Sequence, residues 1–162
     1  MSPDKILRNQ LVKLLKEGMA HMTFEEMVVH FPMDKINKKF PNGTYSPWGL
    51  LEHLRITQWD ILDFIRNSNY KEIEWPKDYW PPQDKKATEK DWRKTIESFE
   101  KDSKALQEIV QNPKTDLYGK IPQGEGQTIL REILLVADHN AYHIGEFAIM
   151  RQVNDTWGKN HT

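Results

Sequence analysis

Apolar residues recur at helical spacing in four stretches of the chain, and no stretch alternates with the period of two that a half-buried strand requires. The first stretch runs from about Pro3 to His30. Ser2 is placed to cap it, and Pro3 suits the first helical position. Leu7, Leu11, Leu14, Leu15, Gly18 and Met22 follow one face. Thr23 and Glu26 have the spacing of a capping box, so this stretch either kinks and restarts at Thr23 or continues as one helix with a surface threonine. Pro32 ends it.

The second stretch, Pro47 to about Asn67, follows a Ser46-Pro47 start. Its residues Leu50, Leu51, Leu54, Ile56, Ile61, Leu62, Phe64 and Ile65 occupy more than one face. The third, about Thr88 to Gln111, opens with Thr88 and Asp91 as a capping box. It carries a single stripe of Trp92, Ile96, Phe99, Leu106 and Val110 against Lys, Glu, Asp and Ser, and Asn112-Pro113 stops it. The fourth, about Gln127 to Val153, is apolar nearly all round.

Four such segments predict an all-α fold, a four-helix bundle with long inter-helix loops, in one domain spanning residues 1–162. The connections 31–46 and 68–87 are long for a compact domain. The second contains Trp75-Pro76-Lys77-Asp78-Tyr79-Trp80-Pro81-Pro82, too aromatic for a passive linker. It either covers apolar surface or borders a site. The apolar excess on the second and fourth segments predicts a homodimer interface, the alternative being a monomer roofed by its own loops.

Composition then narrows the chemistry. Lys and Arg number 23 against 24 Asp and Glu, a balance that argues against a general nucleic-acid binder or a polybasic membrane anchor. No apolar run approaches the roughly 18–20 residues that span a bilayer, and Met1-Ser2-Pro3-Asp4-Lys5 has no signal-peptide core, so the expected location is cytoplasmic. The chain has no cysteine. That excludes disulfides, a thiolate nucleophile and any cysteine-containing zinc or iron–sulfur site. A metal would have to be held by histidine and carboxylate, and the six histidines become the residues of interest.

His139 and His143 are four apart, so on a helix both imidazoles can reach one ion. At about 100° per residue, Ile129, Val136, Phe147 and Met150 fall in the same sector, as do Glu132 and Glu146, while Asp138 points away. The pair therefore faces the interior, where unpaired polar groups are costly. One explanation is histidines hydrogen-bonded to nearby carboxylates; the other is a metal. His53, with Leu50, Ile56, Thr57, Asp60 and Phe64, lies on an inward sector of the second segment. It would complete a three-imidazole site with an open position if the two segments touch, which spacing alone does not show. His161 reads as an exposed tail residue, His30 as part of a terminal turn, and His21 as a more distant candidate near the kink. Gly124-Glu125-Gly126 reads as a turn rather than a phosphate loop. No nucleophile elbow and no basic stripe occur, so a small-molecule substrate is favoured over nucleic acid.

Ser46 to Ile61 (SPWGLLEHLRITQWDI) and Gln127 to Glu146 together resemble the DinB/YfiT-like superfamily of metal-binding four-helix bundles. Asp78-Tyr79-Trp80-Pro81, and Met19-Ala20-His21 before Thr23-Phe24-Glu25-Glu26, resemble one branch of it. The resemblance implies a divalent metal, zinc or nickel, on His53, His139 and His143, and a common tendency to dimerise. Characterised relatives transfer or isomerise with low-molecular-weight thiols such as bacillithiol or mycothiol; others are described only as metal-dependent hydrolases. The expectation is therefore a metal-dependent enzyme of thiol-transferase or hydrolase type, with an open position for water or an external thiol. Asp60, Glu132 and Glu146 are its candidates for orienting an imidazole or acting as base. The competing expectations are a non-catalytic bundle whose metal stabilises the fold or a dimer, and a stress-related ligand-binding module without turnover.

Overall fold

In a computed structural model, which describes residues 2–17 and 19–158, five α-helices form and no strand does among those residues. Gly18 and His161 lie outside the described residues. Helix α1 is Pro3–Glu17, and Ser2 Oγ accepts the Lys5 amide at 3.3 Å. Helix α2, Phe24–Val28, starts afresh at the Thr23 capping box: Thr23 Oγ1 accepts from the Glu26 amide at 3.1 Å, and Glu26 Oε2 accepts from the Thr23 amide at 2.7 Å. The stretch Pro3 to His30 is thus two helices, not one. The two hydrogen bonds satisfy amides that an uninterrupted helix would have used, and Met19 turns the chain through a left-handed φ of 46°.

Helix α3 is Pro47–Arg66, with Ser46 Oγ accepting the Gly49 amide at 3.2 Å. Helix α4 is Glu89–Gln111, opened by the Thr88–Asp91 capping box. Helix α5 is Ile129–Val153, capped by Thr128. It begins two residues later than its apolar pattern suggested, because the Thr128 hydroxyl takes the Arg131 amide while the Gln127 carbonyl accepts from Ile121. Single 3₁₀ turns, Met33–Lys35 and Lys77–Tyr79, punctuate the connections before α3 and α4.

Helix α3 packs on both α4 and α5, α1 packs on the same two, and α2 lies against α5. Two hydrophobic clusters result. One is aliphatic: Leu11, Ile61, Leu62, Leu106, Val110, Leu117, Ile133 and Val136. The other is rich in rings, with Phe31, Trp48, Trp92, Phe99 and Phe147 among its buried members. Helix α3 feeds the aromatic cluster from its first half and the aliphatic one from its second; α5 does the reverse, as antiparallel neighbours must.

Between the clusters the core turns polar. Gln58 Nε2 donates to the Phe99 carbonyl at 2.8 Å, and Asn140 Nδ2 donates to Gln58 Oε1 at 3.0 Å. Buried amides need such partners. The two long connections are clipped together, since Asn37 both donates to and accepts from the Ala87 backbone at 2.9 Å. The arginines Arg8 and Arg151 serve as further clips. Arg8 donates to the carbonyls of Val110, Asn112 and Thr115, and Arg151 to those of Met27, Val29 and Thr156. Each guanidinium thereby serves carbonyls at a helix end that have no helical partner.

Candidate metal centre

His53 projects from the middle of α3 and is 2% exposed. His139 and His143 project one turn apart from α5. Because α3 and α5 pack together, the three rings converge: their centroids are 5.0, 4.8 and 4.5 Å apart, and one nitrogen from each lies within 4.8 Å of the others. His53 Nε2 and His139 Nε2 are 3.2 Å apart. Two nitrogens sharing a tetrahedral zinc at about 2.05 Å would be about 3.3 Å apart. The donor set therefore fits a small divalent ion.

The surroundings fix which nitrogen of each ring faces inward. His53 Nδ1 is 2.8 Å from the Tyr79 carbonyl, which can only accept, so Nδ1 carries the proton and Nε2 holds the lone pair. His143 Nδ1 lies 2.8 Å from Glu146 Oε2 in the same relation. His139 Nδ1 is buried beside Asn140, with no hydrogen bond of good geometry among the described residues. All three imidazoles are held neutral. Burial lowers the pKa of His53 against the opposing pull of the Tyr79 carbonyl. Burial, then the nearby imidazoles, lowers His139 to about 4 and His143 to about 3. Neutral imidazole is the form that binds metal.

Of the three carboxylates expected to support the site, Glu146 meets an imidazole directly. Burial raises its pKa. Asp60 instead accepts the hydroxyls of Tyr70 at 2.9 Å and Tyr79 at 2.7 Å, and reaches His53 only through the Tyr79 backbone. Glu132 accepts from Arg131 at 2.6 Å. Angular position placed Asp60 beside His53 and Glu132 beside His139. Each is seven residues away, about 10 Å along a helix axis. His21 is exposed and lines a small cavity with Lys16, Phe24 and Ala141, on the side of α5 away from His143. His30, exposed and at a left-handed φ of 52°, sits in the turn after α2.

The aromatic connection meets the site. Trp80 stacks flat on His53, with centroids 3.9 Å apart and an interplanar angle of 0°, and Tyr45 stacks on Trp80 at 4.9 Å. Tyr79 contributes its carbonyl to His53 and its hydroxyl to Asp60. Neither Tyr70 nor the Tyr79 carbonyl was singled out by sequence reasoning. The signal within reach was the ring density of the connection. On the solvent side, the 71%-exposed Tyr142 packs edge-on against His143 at 4.9 Å.

A family model described as the DinB superfamily matches residues 19–147, a span that includes all three histidines. No curated protein and no solved structure matches the chain.

Proposed function

Because this chain belongs to the DinB superfamily and brings His53, His139 and His143 to one point, we propose that it is a metal-dependent enzyme acting on a small molecule, of thiol-transferase or hydrolase type. The convergence of the three imidazole lone pairs carries this reading. A divalent ion held there, zinc or nickel, would lower the pKa of a water or an external thiol and so supply a nucleophile near neutral pH. The chain's own part is to aim the donors and exclude bulk water. Tyr79 fixes the tautomer of His53, Asp60 holds Tyr79, and Trp80 covers the His53 ring. Glu146 fixes His143 and is the carboxylate placed to take a proton beside the site. With no cysteine in the sequence, the sulfur of any thiol transfer comes from a second substrate.

The purely structural alternative requires a closed coordination shell. Among the described residues the convergent group contains three ligands, all histidine, and Asp60 is engaged by two tyrosines. Three protein ligands favour an open, reactive position. We further propose that the helices form a four-helix bundle, that the protein works in the cytoplasm, and that it dimerises through the outer face of α5. Leu134, Tyr142, Ile149 and Val153 are exposed there. No helix among the described residues is long and apolar enough to cross a membrane.

Elemental analysis of purified protein beside a His143→Ala variant tests the centre. The expected result is about one zinc or nickel per wild-type chain and near-total loss in the variant. Equal, negligible metal in both would sink the proposal.

A further inference from the structure

Next to the histidine cluster lies a cavity of about 320 Å³ that the proposed chemistry has not used. Its walls are the rings of Tyr45, Trp48 and Trp80 and the prolines Pro81 and Pro82. Trp80 is shared: it lines the cavity and stacks on His53. Gly49, also in the lining, is one helical turn before His53 on α3. The cavity thus shares one wall, the Trp80 indole, with the candidate metal centre. Its size falls in the range of roughly 300–1,000 Å³ typical of small-ligand sites.

The charge of the lining is one-sided. In a chain where acids outnumber bases by one, the charged side chains among the described residues that line this cavity are Lys39 and Lys85. Lys85 Nζ sits 4.9 Å over the Trp48 ring and 3.5 Å from Asp91 Oδ1, a long ion pair with a half-buried partner that an incoming anion can displace. The first turn of α3 adds the partial positive charge of a 20-residue helix, since Ser46 and Gly49 belong to the lining. Trp48, buried in this wall, has an indole N–H with no acceptor among the described residues.

We infer that this cavity binds the acid-bearing, flat apolar part of the small-molecule substrate, with the rings stacking on its body and Lys39 and Lys85 meeting its carboxylate, sulfonate or phosphate. As a statement about substrate, it rests on the proposed metal-dependent activity. As a statement about binding, it stands without the metal.

The test uses full-length protein, once chelator-treated and once zinc-loaded, with 2-naphthoate and its neutral isostere 2-naphthamide as probes in calorimetric titrations. Wild-type protein is expected to bind naphthoate about tenfold more tightly than naphthamide. The preference should collapse in about 1 M salt. It should also disappear in the Lys39→Ala/Lys85→Ala double variant, whose fold is checked by circular dichroism and whose naphthamide affinity should be unchanged. His143→Ala should keep the naphthoate preference. Equal affinity for the two probes, no saturable binding of either, or a preference that survives the double lysine substitution would each overturn the inference. Charge-selective binding in a protein that takes up no metal would instead sink the proposed activity and leave the cavity's binding role standing. Metal uptake without charge selectivity would do the reverse.

Discussion

The two halves of the core are built from different materials. The aliphatic end is closed mainly by helix on helix, with Leu62, Leu106, Val110 and Ile133 at 0% exposure. The aromatic end needs the connections as well: Phe31, Ile36 and Ala87 are core residues outside the helices, and Tyr45 and Trp80 pack against them. Branched aliphatics from four helices interdigitate tightly, which favours a rigid base. Large rings held by connections leave gaps and polar edges, which is where a ligand site can form. The histidines sit at the aromatic end of the polar belt between the two, where a rigid frame meets a replaceable roof.

Substitutions can break that contrast apart. The largest effect is expected from Leu106→Ala at the aliphatic end, about 3 kcal/mol of stability lost in denaturant melts with metal content unchanged. A loss under about 1 kcal/mol would mean this end is not the rigid base. Gln58→Leu cuts the belt itself. It removes the side-chain bond to the Phe99 carbonyl, which keeps its place in α4, and strands the Asn140 amide, so about 2 kcal/mol should be lost. Glu146→Ala should leave stability nearly unchanged while weakening zinc affinity about tenfold, read by competition with a chelating dye.

Acid supplies a gentler probe. His139 and His143 have folded pKa values of about 4 and 3, below those of the unfolded chain, so the unfolded state takes up protons first as pH falls. Their stabilising contribution is complete above the unfolded value and is lost downward through the folded ones. Metal-free protein should therefore lose about 1 kcal/mol between pH 6.5 and 5.5, allowing for partial exposure. Melts that are flat over that window would show that the imidazoles are not held neutral. The smallest effect belongs to Asp102, a buried carboxyl whose pKa is raised by burial against the pull of Arg66 and Arg55. Its penalty applies above the folded pKa and disappears in acid. Asp102→Asn should raise the melting temperature slightly at pH 7 and not at pH 3.5.

Much of this was legible in the chain. Ser46 and Thr88 mark helix starts because a hydroxyl that satisfies an end amide is a local interaction, whereas the apolar pattern passes over the Thr128 cap and begins α5 at Gln127. The single stripe of α4 identified its buried face for the same reason. The restart at Thr23 was left open because apolar spacing continues through Met22 and competes with the Thr23–Glu26 box. His139 and His143 were readable as a pair because one helix carries both. Their meeting with His53 depends on how α3 packs on α5, which no local pattern contains. Asp60 and Glu132 were assigned to the site by angle without height along the axis. The Tyr79 carbonyl was out of reach because every residue type offers one.

Tyr79 is a bracket with two arms, one on Asp60 and one on His53. The connection cannot lift away from the helices without freeing the nitrogen that sets the His53 tautomer. Roof closure and donor readiness are therefore one equilibrium, and linkage makes the influence mutual. An ion that prefers the aimed imidazole also holds the roof down. Residues 67–87 should accordingly resist protease cleavage better in loaded protein than in stripped protein, although no residue of that connection needs to touch the ion.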